Sequence, residues 1–240
     1  MIRLFQPPGA WGLPNLSPAC MKLETWLRLA GIPYELAPHD FSVAPKGKIP
    51  YVTEDDGAPL GDSTFIIEHL VKTRGHDPDA GLSREQRAIG LAFRRMLKEN
   101  LYWVLIQMRF RDAHNWSLYR PVLGGMQVGK PVEVQLAIAD AIHKGICEQI
   151  AGQGMARHSA EEIDRIGIGD LSAVSDVLGD KPFFFGEQPT STDATIYGYV
   201  ANIIEVPLVS AVLDHGRALP NLVSYCDRMR ARYFPDLPRA

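Results

Sequence analysis

At 240 residues the chain is long enough to bury a sizeable core, as one large domain or two modest ones. Hydrophobic residues make up 46% and charged residues 22%, with a formal net charge of -3. That composition excludes a disordered chain and offers no basic surface for nucleic acid or an anionic membrane, so neither is expected as a partner.

Residues 2–6 alternate apolar and polar side chains as a short strand does, and the proline-rich stretch 7–14, which carries Trp11, reads as a loop. Next, Cys20, Leu23, Leu27 and Ala30 fall three or four apart, with Lys22, Glu24 and Arg28 on the other side, predicting an amphipathic helix with one buried stripe. Ser17 is its N-cap, Pro18 occupies the first helical position, and Gly31 with Pro33 closes it. The Ser17 hydroxyl therefore sits where free backbone N–H groups and the positive end of the helix dipole converge, a setting that suits a developing thiolate.

Residues 34–37 are a second strand candidate and 38–48 are irregular. Residues 47–53 form a strand with Pro50 at its entry or interior, Asp55-Asp56-Gly57 a turn, and 58–61 the partner strand. Asp62-Ser63 opens a helix with Phe65, Ile66, Leu70 and Val71 facing inward and Gly75 at its end. One parallel βαβ unit, a hairpin and a closing helix make a compact α/β domain over 1–76, followed by a linker to about residue 82.

From 83 to 240 the chain reads as all-helical. Ser83-Arg84-Glu85-Gln86 is a capping box for a helix running to about Asp112, roughly 45 Å long at a rise of 1.5 Å per residue. Residues 115–130, with Pro121 and Gly124-Gly125, read as a loop. Residues 131–152 and 159–179 are helices, the second opened by the capping box Ser159-Ala160-Glu161-Glu162. Lys181-Pro182-Phe183-Phe184-Phe185-Gly186 makes an aromatic turn, and Thr190 with Asp193 caps a buried helix. The apolar run 200–213 is broken by Glu205 and Pro207 and is too short to span a bilayer. Residues 220–234 form an amphipathic helix with Leu222, Val223, Cys226, Met229 and Tyr233 inward.

Three scattered cysteines, Cys20, Cys147 and Cys226, and the absence of a signal-peptide pattern at the start predict a reducing, cytoplasmic setting. No metal is expected. The seven histidines lie far apart, and His143 with Cys147 at i, i+4 lacks further ligands.

Ser17-Pro18-Ala19-Cys20 at the first helix, Ile49-Pro50 before the third strand, and Gly61-Asp62-Ser63 at the next helix, followed by an all-helical region, resemble the glutathione S-transferase family along the whole chain. Ser17-Pro18-Ala19-Cys20 looks like the thioredoxin-type Cys-x-x-Cys with serine in place of the first cysteine. Ile49-Pro50 matches that fold's cis-proline, Asp62-Ser63 its acidic-Ser pair, and Thr190-x-x-Asp193 the capping box of its helical domain. Residues 13–35, including Lys22-Leu23-Glu24-Thr25, are similar to the branch containing failed-axon-connections and metaxin-like proteins.

The resemblance implies a thioredoxin-like, glutathione-binding domain followed by a helical bundle that receives a small hydrophobic electrophile, with glutathione as co-substrate, no metal, a homodimeric assembly and a role in detoxification. It assigns Ser17 to activation of the glutathione sulfur. Ile49, beside a cis bond to Pro50, offers backbone N–H and C=O to the peptide, Asp62 and Ser63 hold the γ-glutamyl group, and Lys48 meets the glycine carboxylate. Trp11 is placed with these glutathione contacts. Tyr102, Trp103, Arg109, Trp116 and Tyr119 line the electrophile pocket or pack in the core. Two alternatives stand beside this reading: a glutathione-dependent reductase or peroxidase using Cys20, and a non-catalytic binding module. Each motif also has a plain structural use, with Ser17 and Asp62 as helix caps and Cys20 as a buried core thiol.

Overall fold

Four short strands, β1 (Ile2–Phe5), β2 (Tyr34–Ala37), β3 (Tyr51–Glu54) and β4 (Leu60–Gly61), form one mixed sheet in the order β2-β1-β3-β4 in the computed structural model, which describes residues 1–55 and 57–237. β1 runs parallel to β2 and antiparallel to β3, and β4 pairs antiparallel with β3. A parallel neighbour requires a crossover, and α1 (Pro18–Leu29) supplies it. After β4 comes α2 (Ser63–Arg74), closed by Gly75 in the left-handed conformation at φ 73. Ile2, Leu4, Leu23, Trp26, Val52, Ile66 and Leu70 form the core between sheet and helices. Phe65, expected inward, is 52% exposed, and Val71 is half-buried. Of the expected turn, Asp56 lies outside the described residues.

The helical region departs from expectation in two places. The single helix predicted from Ser83 to Asp112 is divided into α3 (Arg84–Met96) and α4 (Tyr102–Phe110) by a π-helical turn at Leu97–Leu101. Residues 115–130, expected as a loop because of Pro121, instead contain most of α5 (Ala113–Gly125), whose first turn is capped by Asp112 accepting the Asn115 N–H at 2.8 Å. Pro121 removes one helical hydrogen bond. Aromatic packing outweighs it: Trp116 stacks on Phe110 and His143, and Tyr119 meets Phe110 edge-on.

Then come α6 (Val132–Gln153), α7 (Ala160–Leu178), α8 (Ser191–Ile204), α9 (Ala211–Arg217) and α10 (Pro220–Tyr233). Every residue of α8 is buried. Asp193 makes that possible at its start, accepting the Thr190 N–H at 2.7 Å, the Thr190 hydroxyl at 2.9 Å and the Phe184 N–H at 2.8 Å. On α10 Leu222, Cys226, Met229 and Tyr233 are buried as expected, whereas Val223 faces outward. Among the described residues no helix is long and apolar enough to cross a membrane.

α1 is the contact between the two regions, and it is buried on both faces. Lys22 and Glu24, assigned to a solvated side by periodicity, are both buried, Lys22 to 6% exposure. α8 packs against α1, and Gly198 lets the backbones meet: a Cβ there would sit 2.9 Å from the Pro18 carbonyl oxygen and 3.0 Å from the Lys22 nitrogen. Glu24 is satisfied by Gln6 Nε2 at 2.6 Å and the Tyr34 hydroxyl at 2.7 Å. Lys22 Nζ donates to Thr64 Oγ1 at 3.0 Å. Burial, and then Lys98, pull its pKa from 10.5 down to about 7, with Asp62 opposing.

Two outcomes are expected. Gly198→Ala sets a methyl group against backbone atoms that cannot rotate away, lowering stability by about 1–3 kcal/mol, seen as a lower urea midpoint at unchanged slope. Between pH of about 7 and 10.5 the unfolded chain binds a proton at Lys22 that the folded chain does not, so this group makes stability rise with pH across that window. Equilibrium unfolding at pH values spanning the window therefore shows a steeper rise in the native protein than in Lys22→Met, and identical slopes would contradict the buried neutral lysine.

Candidate active site

A groove of about 240 Å³ runs between the sheet region and the helical region. On one wall are Ser17 and Ala19 at the start of α1, the 45–50 loop, and Asp62 with Ser63 at the start of α2; on the other are Lys98, Glu99, Tyr102, Trp103 and Tyr199. Larger hollows lie elsewhere on the protein. This groove is distinguished by its chemistry: two helix N-termini and three lysines (Lys46, Lys48 and Lys98) open into it beside aromatic rings.

Ser17 takes the extended N-cap conformation at φ -89 and ψ 116. Its Oγ accepts the Cys20 N–H at 3.4 Å, and the residue lines the groove. The Ile49-Pro50 bond is cis. Ile49 precedes β3, and among the described residues its backbone N–H and C=O take no hydrogen-bond partner, so both are free for an extended ligand.

Asp62 occupies the left-handed region at φ 74, unusual for a residue with a side chain. Its carboxylate accepts the Thr64 N–H at 2.8 Å and faces Lys98 Nζ at 3.4 Å. Burial works against its charge, but the Thr64 N–H, Lys98 and Lys22 together hold the carboxyl below its usual range. Asp62 thus stays ionised at the mouth of α2, beside the buried Ser63. Lys46 lies over the Phe65 ring, 4.7 Å from its centroid, which accounts for that exposed aromatic. Burial raises the phenol pKa of both Tyr102 and Tyr199, so each remains a protonated hydroxyl across the neutral range.

Ser17, Lys48, Ile49, Pro50, Asp62 and Ser63, singled out from sequence, are brought together here with Tyr102 and Trp103. Trp11 is not. It lies 5.7 Å from the Tyr119 ring and borders a separate hollow with Arg217 and Arg230. The loop between β1 and α1 carries it away from the groove. Arg109, Trp116 and Tyr119 belong to the interior of the helical region.

Cys20 faces the core at 0% exposure, and burial pushes its thiol up to about 12, the Ser17 hydroxyl opposing only in part. A thiol so placed is neither ionised nor reachable, which speaks against thiol chemistry at this residue. Sequence reasoning missed Lys46, Lys98, Glu99 and Tyr199 on the groove, and Lys22 beneath it. Lys98 and Glu99 fall in the π-helical turn, where the extra residue per turn breaks the 3.6-residue register that would have placed them. Among the described residues no cluster of three or more His, Cys, Asp or Glu is placed to hold a metal ion.

Residues 18–115 match the family model for the glutathione S-transferase N-terminal domain, and residues 167–229 that for the glutathione S-transferase C-terminal domain. Isoprene-epoxide--glutathione S-transferase of Rhodococcus sp. (strain AD45) is 37% identical over 97% of this chain and 99% of its own. Failed axon connections of Drosophila melanogaster is 32% identical over 98% of this chain, which spans 59% of that longer protein. Among solved structures, a glutathione S-transferase of Methylobacterium radiotolerans JCM 2831 in complex with glutathione sulfonate superposes with a TM-score of 0.59 over 100% of this chain and 95% of that one, at 18% identity, a likeness of fold. With a relative matched end to end at that identity, and with both domains of the architecture present, the chain belongs to the glutathione S-transferase family, in the branch that includes failed axon connections.

Proposed function

We propose that the chain is a glutathione transferase in which Ser17 activates the thiol of bound glutathione for attack on a small hydrophobic electrophile, an epoxide in particular. The observation that carries this reading is the Ser17 hydroxyl opening into the same groove as the free backbone of Ile49 and the N-terminus of α2. Glutathione has a carboxylate at each end, an ammonium at one of them, and a thiol between. The α2 N-terminus with Lys98 and Asp62 suits the γ-glutamyl end, with Asp62 taking the ammonium. Ile49 pairs with the central peptide, and Lys46 and Lys48 meet the glycine carboxylate.

That arrangement brings the cysteine sulfur to the tip of α1. There the Ser17 hydroxyl and the helix dipole favour the thiolate, lowering the thiol pKa from its free value of about 8.5, and the thiol proton leaves to solvent. Tyr102, Trp103 and Tyr199 provide the apolar wall for the electrophile.

The epoxide class rests on the name of the Rhodococcus relative and on the proton balance of the groove. When sulfur attacks an epoxide carbon, a C–S bond forms, the ring C–O bond breaks, and the alkoxide needs a proton. Tyr102 is a protonated phenol on the same wall and supplies it, to be reprotonated by water. Dimerisation and a protective role belong to the same reading.

Ser17→Ala is expected to lower kcat for conjugation by about 10- to 100-fold with little change in glutathione dissociation constant. Calorimetry and initial rates test the two separately, and an unchanged rate removes Ser17 as the activating group. Tyr102→Phe separates the second step. Opening of a small terminal epoxide falls about tenfold or more, whereas conjugation of 1-chloro-2,4-dinitrobenzene, which releases chloride and takes up no proton, holds near its native rate. Equal losses on both substrates would mean that Tyr102 only shapes the pocket.

A further inference from the structure

α8 presents one polar group that the conjugation chemistry leaves unused, the hydroxyl of Tyr199. The residue is 4% exposed and lines the groove on the wall facing Ser17. Its neighbours on the helix fix its height along α1. Gly198 packs on the Pro18 carbonyl oxygen and the Lys22 nitrogen, and Asn202, which lies beside Tyr199 on the next turn, donates to the Asn15 carbonyl at 3.1 Å. These contacts bracket Ser17 in the chain, so Tyr199 stands level with the tip of α1.

A buried phenol normally finds a hydrogen-bond partner, and among the described residues this one has none. Tyr197 on the same helix also lacks a partner, but its hydroxyl is sealed from solvent, whereas the Tyr199 hydroxyl keeps some surface, and the groove is the hollow that Tyr199 borders. An O–H group so placed is destabilising while unpaired and becomes favourable when a ligand brings an acceptor to it. With glutathione held by Ile49 and the N-terminus of α2, the acceptor at that height is its sulfur.

We propose that Tyr199 is a second catalytic residue of the conjugation, its O–H donating a hydrogen bond to the thiolate of bound glutathione, so that Ser17 and Tyr199 stabilise one sulfur from facing walls. This rests on the glutathione reading of the groove. No proton passes from the phenol. Burial, the Tyr102 phenol on α4, Glu99 in the π-helical turn and Asp62 before α2 all raise the Tyr199 pKa, so it stays a donor throughout the range in which the thiol ionises, and the thiol proton leaves to solvent. Arg95 at 3.8 Å from Glu99 and Lys98 at 3.4 Å from Asp62 offset the two carboxylates and limit their repulsion of a thiolate.

Tyr199→Phe keeps the ring and removes only the hydroxyl. The pKa of the bound thiol, read from the ultraviolet absorbance of the thiolate in a pH titration at saturating glutathione, is expected to rise by about one unit. At neutral pH kcat falls about three- to tenfold on both 1-chloro-2,4-dinitrobenzene and a terminal epoxide, the smaller thiolate fraction being partly offset by a more nucleophilic sulfur. The glutathione dissociation constant, measured by calorimetry at acid pH where the thiol stays protonated, is unchanged. Tyr197→Phe, which removes the sealed hydroxyl from the same helix, keeps the native thiol pKa. An unchanged thiol pKa in Tyr199→Phe with glutathione still bound overturns the proposal and leaves the glutathione reading standing. A loss confined to the epoxide does the same, since the hydroxyl would then serve the oxygen, as does an equal shift in Tyr197→Phe, since helix packing would then set the value. Absence of glutathione binding to the native chain overturns both.

Discussion

A guanidinium that barely reaches solvent holds the tip of α1 in place. Arg109, 1% exposed, donates to the Leu16 carbonyl and, through Nη2, to the Asn202 carbonyl at 2.8 Å and its Oδ1 at 2.7 Å. Asn202 in turn donates to the Asn15 carbonyl at 3.1 Å, and Asn15 Oδ1 accepts the Ser17 N–H at 2.9 Å. α4, α8 and the turn before α1 are thereby joined by one chain of hydrogen bonds that ends at the backbone N–H of Ser17, the residue whose hydroxyl is proposed to act. Burial pulls the Arg109 pKa down, with the phenol groups of Tyr119 and Tyr102 opposing, and the Tyr119 ring lies 5.5 Å from the guanidinium carbon. A charge in this position is tolerable because carbonyl oxygens and a ring face replace its water. Removing it would leave carbonyl groups of the turn unpaired in the interior.

The same economy governs the rest of α1. Glu24 gathers Gln6 from the end of β1 and Tyr34 from β2, and Arg28 extends that network to the Tyr233 carbonyl at the end of α10 at 2.7 Å. Lys22 reaches Thr64 on α2 from the other side of the helix. A helix of twelve residues therefore touches both ends of the chain, the sheet and the helical region, and its polar residues act as buried connectors. Function follows from that rigidity. A hydroxyl stabilises a developing thiolate only if it does not have to reorganise as the charge forms, and the hydrogen bonds around Ser17 hold it fixed beforehand.

Much of this architecture is legible in the chain, because it depends on local chemistry. Ser17 and Pro18 start a helix, Gly75 ends one, and the Ser83, Ser159 and Thr190 boxes each satisfy N–H groups that any helix leaves free. The same locality explains why Ser17, Asp62 and Ser63 could be singled out as site residues: a helix N-terminus is both a structural need and an anion seat. α5 was hidden because Pro121 signals a break, and only the stacking of Trp116 on Phe110 and His143 overrides it. Trp11 was misplaced because nothing local says which way a loop carries an aromatic ring.

By itself the sequence determined the strands, most of the helices and their starts, since these follow from propensity, capping or hydrophobic period, and its resemblance to the glutathione S-transferase family pointed to the motif residues of the groove. Tertiary structure decided the rest. Periodicity sorts residues into apolar and polar faces but does not say whether a polar face meets water or other elements, and here Lys22 reaches Thr64 on α2 while Glu24 reaches Gln6 and Tyr34 at the sheet, both buried. It also decided that Cys20 is sealed in the core, that the π-helical turn delivers Lys98 and Glu99 to the groove, and that Arg109 is a clamp. Each of these depends on which surfaces meet across long stretches of chain, and local spacing carries no record of that.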